Sequence, residues 1–90
     1  MSKPRDFDES PLSLSALEEL ATRTEERAAQ ARRHAAEARD EARHDAARGD
    51  HEAERVHLRE AEAHEGAAHV TEQTGALYRQ RIRHLTDKEP

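Results

Sequence analysis

The chain contains no cysteine, one tyrosine, one phenylalanine, three glycines and three prolines. Without cysteine there is neither a disulfide framework nor a thiolate zinc site. Aromatics make up 2% of the residues, so a thick core built on large rings is excluded. No long apolar run occurs, and the N-terminal stretch MSKPRDFDESP is charged and proline-containing. Neither a conventional signal peptide nor a membrane span is therefore expected, and the expected location is cytoplasmic. Serines cluster near the N-terminus and no glycine-rich phosphate loop is present. No nucleophile constellation emerges, so the chain is not expected to be an enzyme or to carry a cofactor.

What is present is charge and alanine. Of 90 residues, 39% are charged and 33% hydrophobic, and the mean hydropathy is −1.20. Seventeen of the hydrophobic residues are alanine, and beyond Met1 and Phe7 the larger ones are seven leucines, Val56, Val70, Tyr78 and Ile82. Burial is worth roughly 25 cal/mol per Å² of apolar surface, so alanine contributes little and one such chain builds a thin core. Small domains in this position draw on partner chains. Fifteen basic residues face twenty acidic ones, net −5, which gives no dominant field for phosphate, and nucleic acid is not an expected partner. Arginine outnumbers lysine 13 to 2, a bias that points to a GC-rich bacterial coding sequence.

Glycine and proline punctuate the chain. Residues 1–11 read as a flexible tail. Ser10 before Pro11 suits a helix start, and Ser15-Ala-Leu-Glu18 offers a capping box one turn later. From there to Arg48 no glycine or proline interrupts a run of strong helix formers. The spacing predicts a first helix over about 12–48, a turn at Gly49 and Asp50, and a second helix over about 51–85, with 86–90 frayed. Gly66 and Gly75 fall inside the second helix, which makes a kink near Thr74-Gly75 conceivable.

Apolar or small residues recur at alternating steps of three and four. In the first helix they are Leu17, Ala21, Thr24, Ala28, Ala31, Ala35, Ala38 and Ala42. The series in the second helix is Ala53, Val56, Glu60, Ala63, Ala67, Val70, Thr74 and Leu77. Folding back at Gly49-Asp50 brings Leu14 to Leu85, Leu17 to Ile82, and Leu20 with Ala21 to Tyr78 and Leu77, and sets Glu60 level with Arg39. The predicted fold is an all-α antiparallel two-helix hairpin, an alanine-rich coiled coil that dimerises into a four-helix bundle. Each arm would be about 54 Å long. The rivals are one straight helix and a chain that becomes helical only on drying or binding.

Two Glu-x-x-His patterns, Glu41 to His44 and Glu54 to His57, resemble the ligand spacing of di-iron bundles. At about 100° per residue, Glu41, His44 and Glu54 point roughly 80°, 140° and 150° away from their seams, and the four side chains do not converge. The seven histidines, His34, His44, His51, His57, His64, His69 and His84, include no i, i+4 pair. His57 and His64 lie about 10 Å apart along one helix, so no designed metal site is expected. A response to pH is the better use of them, because imidazoles charge near neutrality. Arg48-Gly49-Asp50 has the spelling of an adhesion motif, yet the turn accounts for all three residues. Residues 50–72 hold seven acids and two arginines, whereas Tyr78-Arg79-Gln80-Arg81-Arg83-His84 with Lys88 is locally basic, a polarity that would orient subunits.

Leu12, Leu14, Leu17, Leu20, Leu77, Tyr78, Ile82 and Leu85 exceed what one partner helix covers and form the expected interaction surface. The expected function is non-catalytic: helix–helix packing onto a protein partner, most simply in a homodimer, or as an adaptor or regulator. The alternatives are a hydrophilic stress-type protein and a histidine-rich helical protein responsive to pH or metal.

Overall fold

A computed structural model describes residues 12–87. Within them the chain forms two helices, α1 (Leu14–Ala47) and α2 (His51–Asp87), packed against each other along their length. The expected hairpin is therefore the observed architecture. At 1.5 Å per residue the arms measure about 50 and 55 Å.

Local chemistry sets each end. Ser13, with extended backbone (φ −69°, ψ 162°), caps α1, and its hydroxyl accepts the Ala16 N–H at 3.1 Å. The Ser13 carbonyl accepts the Leu17 N–H at 2.9 Å and starts the ladder, so Ser15 already lies within the first turn and its box with Glu18 does not form the cap. The Ser10-Pro11 start and the tail reading of 1–11 lie outside the described residues. At the other end Gly49 adopts φ +79°, a left-handed conformation that only glycine reaches without steric cost. The Asp50 N–H reaches the Asp45 carbonyl (2.9 Å) and the Gly49 N–H reaches that of Ala46 (3.0 Å), the two bonds of a Schellman stop. Asp50 then caps α2, accepting the Ala53 N–H at 3.2 Å on its side chain. Glu52 and Glu54 in the first turn complement the helix dipole. Thr86 and Asp87 remain helical, and the rest of the expected fray, 88–90, lies outside the described residues.

On α1 the contact stripe is the one read from the sequence. Leu17, Ala21, Thr24, Ala28, Ala35, Ala38 and Ala42 are buried and Ala31 is half-buried, and Asp45 extends the stripe. On α2 the expected stripe is wrong by one residue. Val56, Glu60, Ala63, Ala67, Val70, Thr74 and Leu77 are exposed and Ala53 is half-buried. The packed line runs instead through His57, Ala61, His64, Ala68, Thr71, Gly75, Tyr78, Ile82 and Leu85, about 100° around the helix.

Three features favour this line. It carries Tyr78, Ile82 and Leu85 at the open end, the residues that folding back at Gly49-Asp50 sets level with Leu20, Leu17 and Leu14. Ala61, Ala68 and Gly75, seven residues apart, let the backbones come close. It also sets three arginine–glutamate pairs along one edge: Arg39–Glu65, Arg32–Glu72 and Arg79–Glu25. Each arginine donates through both Nε and Nη2, at 2.6–2.9 Å. The partners advance by seven residues on both helices, so a one-residue rotation would break all three. Arg39 thus meets Glu65, not the expected Glu60. Water screens exposed pairs, so they fix register more than they add stability.

Gly75 does not kink α2, which is continuous across it. A Cβ built there would lie 3.5 Å from Thr24 Cγ2 and Glu25 Cγ, ordinary contact distance. Gly75→Ala is accordingly expected to stabilise the hairpin by about 1 kcal/mol through helix propensity and the added methyl contact. Urea unfolding measures it, and a loss of stability would show that the seam is already closed to a methyl group.

Candidate interaction surfaces

At the bend, Asp45 holds the one fully buried large side chain among the described residues. His57 Nδ1 lies 2.5 Å from Asp45 Oδ2, and Arg48 donates to Oδ1. The hydrogen bond from His57 holds the Asp45 carboxyl below its ordinary range, against burial, and the charges of His57 and Arg48 help. Reciprocally, the bond to Asp45 raises His57 against its own desolvation, with Asp45, Glu60 and Glu41 adding attraction. A charged clasp therefore joins the last turn of α1 to the first turns of α2. It also disposes of the Arg-Gly-Asp triplet: Arg48 is engaged with Asp45, Gly49 turns and Asp50 caps.

Three of the four Glu-x-x-His residues pair with residues outside the two motifs. Glu54 accepts from His51 at 2.9 Å, His44 approaches Asp40 at 4.0 Å, and His57 serves Asp45. Among the described residues no three histidines or carboxylates gather in metal-holding geometry. The fold does bring together two histidines that the sequence reading scattered. The His34 and His64 rings face each other across the seam with centroids 5.3 Å apart. With His57, Glu37, Glu41 and Glu60 they line a shallow groove of ≈ 400 Å³. The signal was available: His34 and His64 lie fifteen residues on either side of Gly49.

The expected interaction residues divide by exposure. Leu17 is buried, and Leu20, Tyr78, Ile82 and Leu85 are half-buried in the joint between the helices. Leu12, Leu14 and Leu77 stand 51%, 42% and 64% exposed. Leu77 borders an open cleft of ≈ 290 Å³ with Gln80, Arg81 and His84. The other large exposed apolar residues are Val56 and Val70, at 47% and 60%. With Leu77 they lie on a single line along α2. No described helix is long and apolar enough to cross a membrane, so this surface is not a bilayer span.

The chain matches no protein-family model, no curated protein and no solved structure.

Proposed function

We propose that this chain is a small non-catalytic interaction module that works through helix–helix packing, first of all by pairing with a second copy of itself into a four-helix bundle. One observation carries the reading. On a hairpin whose own seam is lined mainly by alanine, five of the larger aliphatic side chains, Leu12, Leu14, Val56, Val70 and Leu77, remain exposed. Exposed apolar groups that line up along a helix mark the face on which another helix packs. A thin alanine core also leaves a lone hairpin weakly stabilised, and a partner that binds only the folded form stabilises it by mass action.

Light scattering after size exclusion, paired with circular dichroism, tests this. A helical species of twice the chain mass at micromolar concentration is expected, with a melting temperature that rises with concentration. A helical monomer whose melt is the same from about 1 to 500 µM would overturn the reading.

A second reading, a helical protein responsive to pH, rests on the Asp45–His57 clasp, which ties the joint between the helices to the charge on one imidazole. Loss of stability as pH climbs through the raised value of His57 is its signature.

A further inference from the structure

The exposed stripe of α2 that flanks its seam with α1 repeats with the spacing of a second coiled-coil seam. Val56, Ala63, Val70 and Leu77 follow one another at seven-residue steps, and the intervening positions hold Ala67, Thr74 and one acidic residue, Glu60. All seven are exposed. Beyond Leu20, α1 offers no apolar residue larger than alanine, so no comparable stripe exists on that helix. α2 thus carries two seams about 100° apart, and only one of them is occupied within the chain.

The outward seam is self-complementary in the reverse direction. Val56 and Leu77 are equidistant from the Gly66-Ala67 step, and so are Ala63 and Val70. A two-fold axis through that step sets each smaller residue opposite a larger one on the partner, as an isologous contact requires. The two smallest side chains then sit where the backbones come nearest. A Cβ at Gly66 meets nothing within 4 Å inside the chain, so the space above it is open to another helix.

Charge selects the same direction. Glu52 and Arg81 are also equidistant from Gly66-Ala67, and neither forms an ion pair with another described residue. Antiparallel pairing places Glu52 of each copy beside Arg81 of the other, twice over. Parallel pairing would stack Glu52 on Glu52 and Arg81 on Arg81, and like charges placed together oppose association. The acidic first half of α2 then faces the basic end of its mate.

From these placements we infer that the Val56–Leu77 stripe of α2 is a homodimer interface, on which a second copy of the chain lays its own α2 antiparallel, crossing at Gly66-Ala67. This rests on the helix-packing reading above and makes it specific: one partner, one face, one direction.

Because the chain has no cysteine, single introduced thiols report the geometry. In the full-length chain, Ala67→Cys places two thiols at the axis and is expected to give a disulfide-linked dimer under mild oxidation. His84→Cys places them about 50 Å apart, at 1.5 Å per residue, and is expected to stay monomeric on a denaturing gel. Val70→Lys with Leu77→Lys, both on exposed positions, should raise the dimer dissociation constant about 100-fold or more and leave hairpin helicity unchanged. Arg81→Glu should weaken the dimer about 10-fold, and adding Glu52→Arg in the same chain should restore it. Cross-linking at position 84 but not 67, in a chain that light scattering shows to be dimeric, overturns the α2 interface and leaves helix packing standing through the open end. A wild-type chain that is monomeric at every concentration overturns both.

Discussion

Replacing Asp45 with alanine is expected to lower the melting temperature by roughly 10 °C or more, among the largest losses a single substitution can cause here. The reason is what the substitution strands. Asp45 is the covered acceptor for both His57 and Arg48, and removing it leaves a half-buried imidazole beside a gap where its partner was. The backbone of Asp45 still accepts from Asp50, so the turn itself survives and the loss belongs to the side chain. A melting temperature within about 2 °C of wild type would mean that the clasp contributes nothing. The same pair gives stability a pH signature whose sign follows from linkage. His57 is raised above its ordinary 6.5, so its contribution is fully present below that pH and is lost as pH climbs through the folded value. Asp45 is lowered from 3.8, and Glu25, Glu65 and Glu72 are lowered from 4.5 by their arginine partners. Their contributions are present above those values and are lost on acidification below them. Stability is therefore expected to be greatest between about pH 4.5 and 6.5 and to fall on the alkaline side as well as in acid. His57→Gln should flatten the alkaline fall and leave the acid limb in place. A wild-type melting temperature that stays level or rises from pH 6.5 to 8.5 would remove the clasp as its cause.

The hairpin was legible because glycine and capping chemistry do not depend on neighbours. Gly49 followed by Asp50 forms a stop and a start together, whatever packs alongside. The first helix was equally open to reading, since one stripe from Leu17 to Ala42 carries an unbroken three-and-four series of small or apolar residues. The second helix misled because it carries two stripes and, short of the open end, the oilier one is exposed. Val56, Val70 and Leu77 outweigh His57, His64, Thr71 and Gly75 on any hydropathy scale, yet the latter line meets α1. A seam held by close approach selects for small side chains, and hydropathy is blind to smallness. Ala61, Ala68 and Gly75 at seven-residue steps were the better guide, together with glutamate and arginine at the same period on both helices. The buried clasp was missed for a related reason. Asp45 falls on the α1 stripe one step beyond Ala42, but a carboxylate ends an apolar series when the eye follows apolarity alone. Its partner His57 emerges only once the second register is corrected.

That register predicts opposite outcomes at two adjacent alanines. Ala68 is completely buried, facing α1 where the helices are held close by small residues. Ala68→Leu forces a side chain into a joint with no space for it and is expected to cost about 2–3 kcal/mol, the upper part of the usual range for overpacking. The alternative to paying that strain is to push the helices apart, which would lengthen the neighbouring Arg32–Glu72 and Arg39–Glu65 pairs, and so the substitution is opposed on both counts. Ala67, one residue earlier, is exposed. Below the concentration of self-association, Ala67→Leu is expected to stay within about 0.5 kcal/mol of wild type, as surface substitutions usually do. Leucine and alanine are both strong helix formers, so propensity separates the pair far less than packing does. Urea unfolding of the two variants measures the difference directly. Were Ala67→Leu the damaging change and Ala68→Leu the silent one, α2 would be turned by one residue, the line through Val56, Val70 and Leu77 would be the hairpin's own core, and the interface proposed for that line would lose its surface.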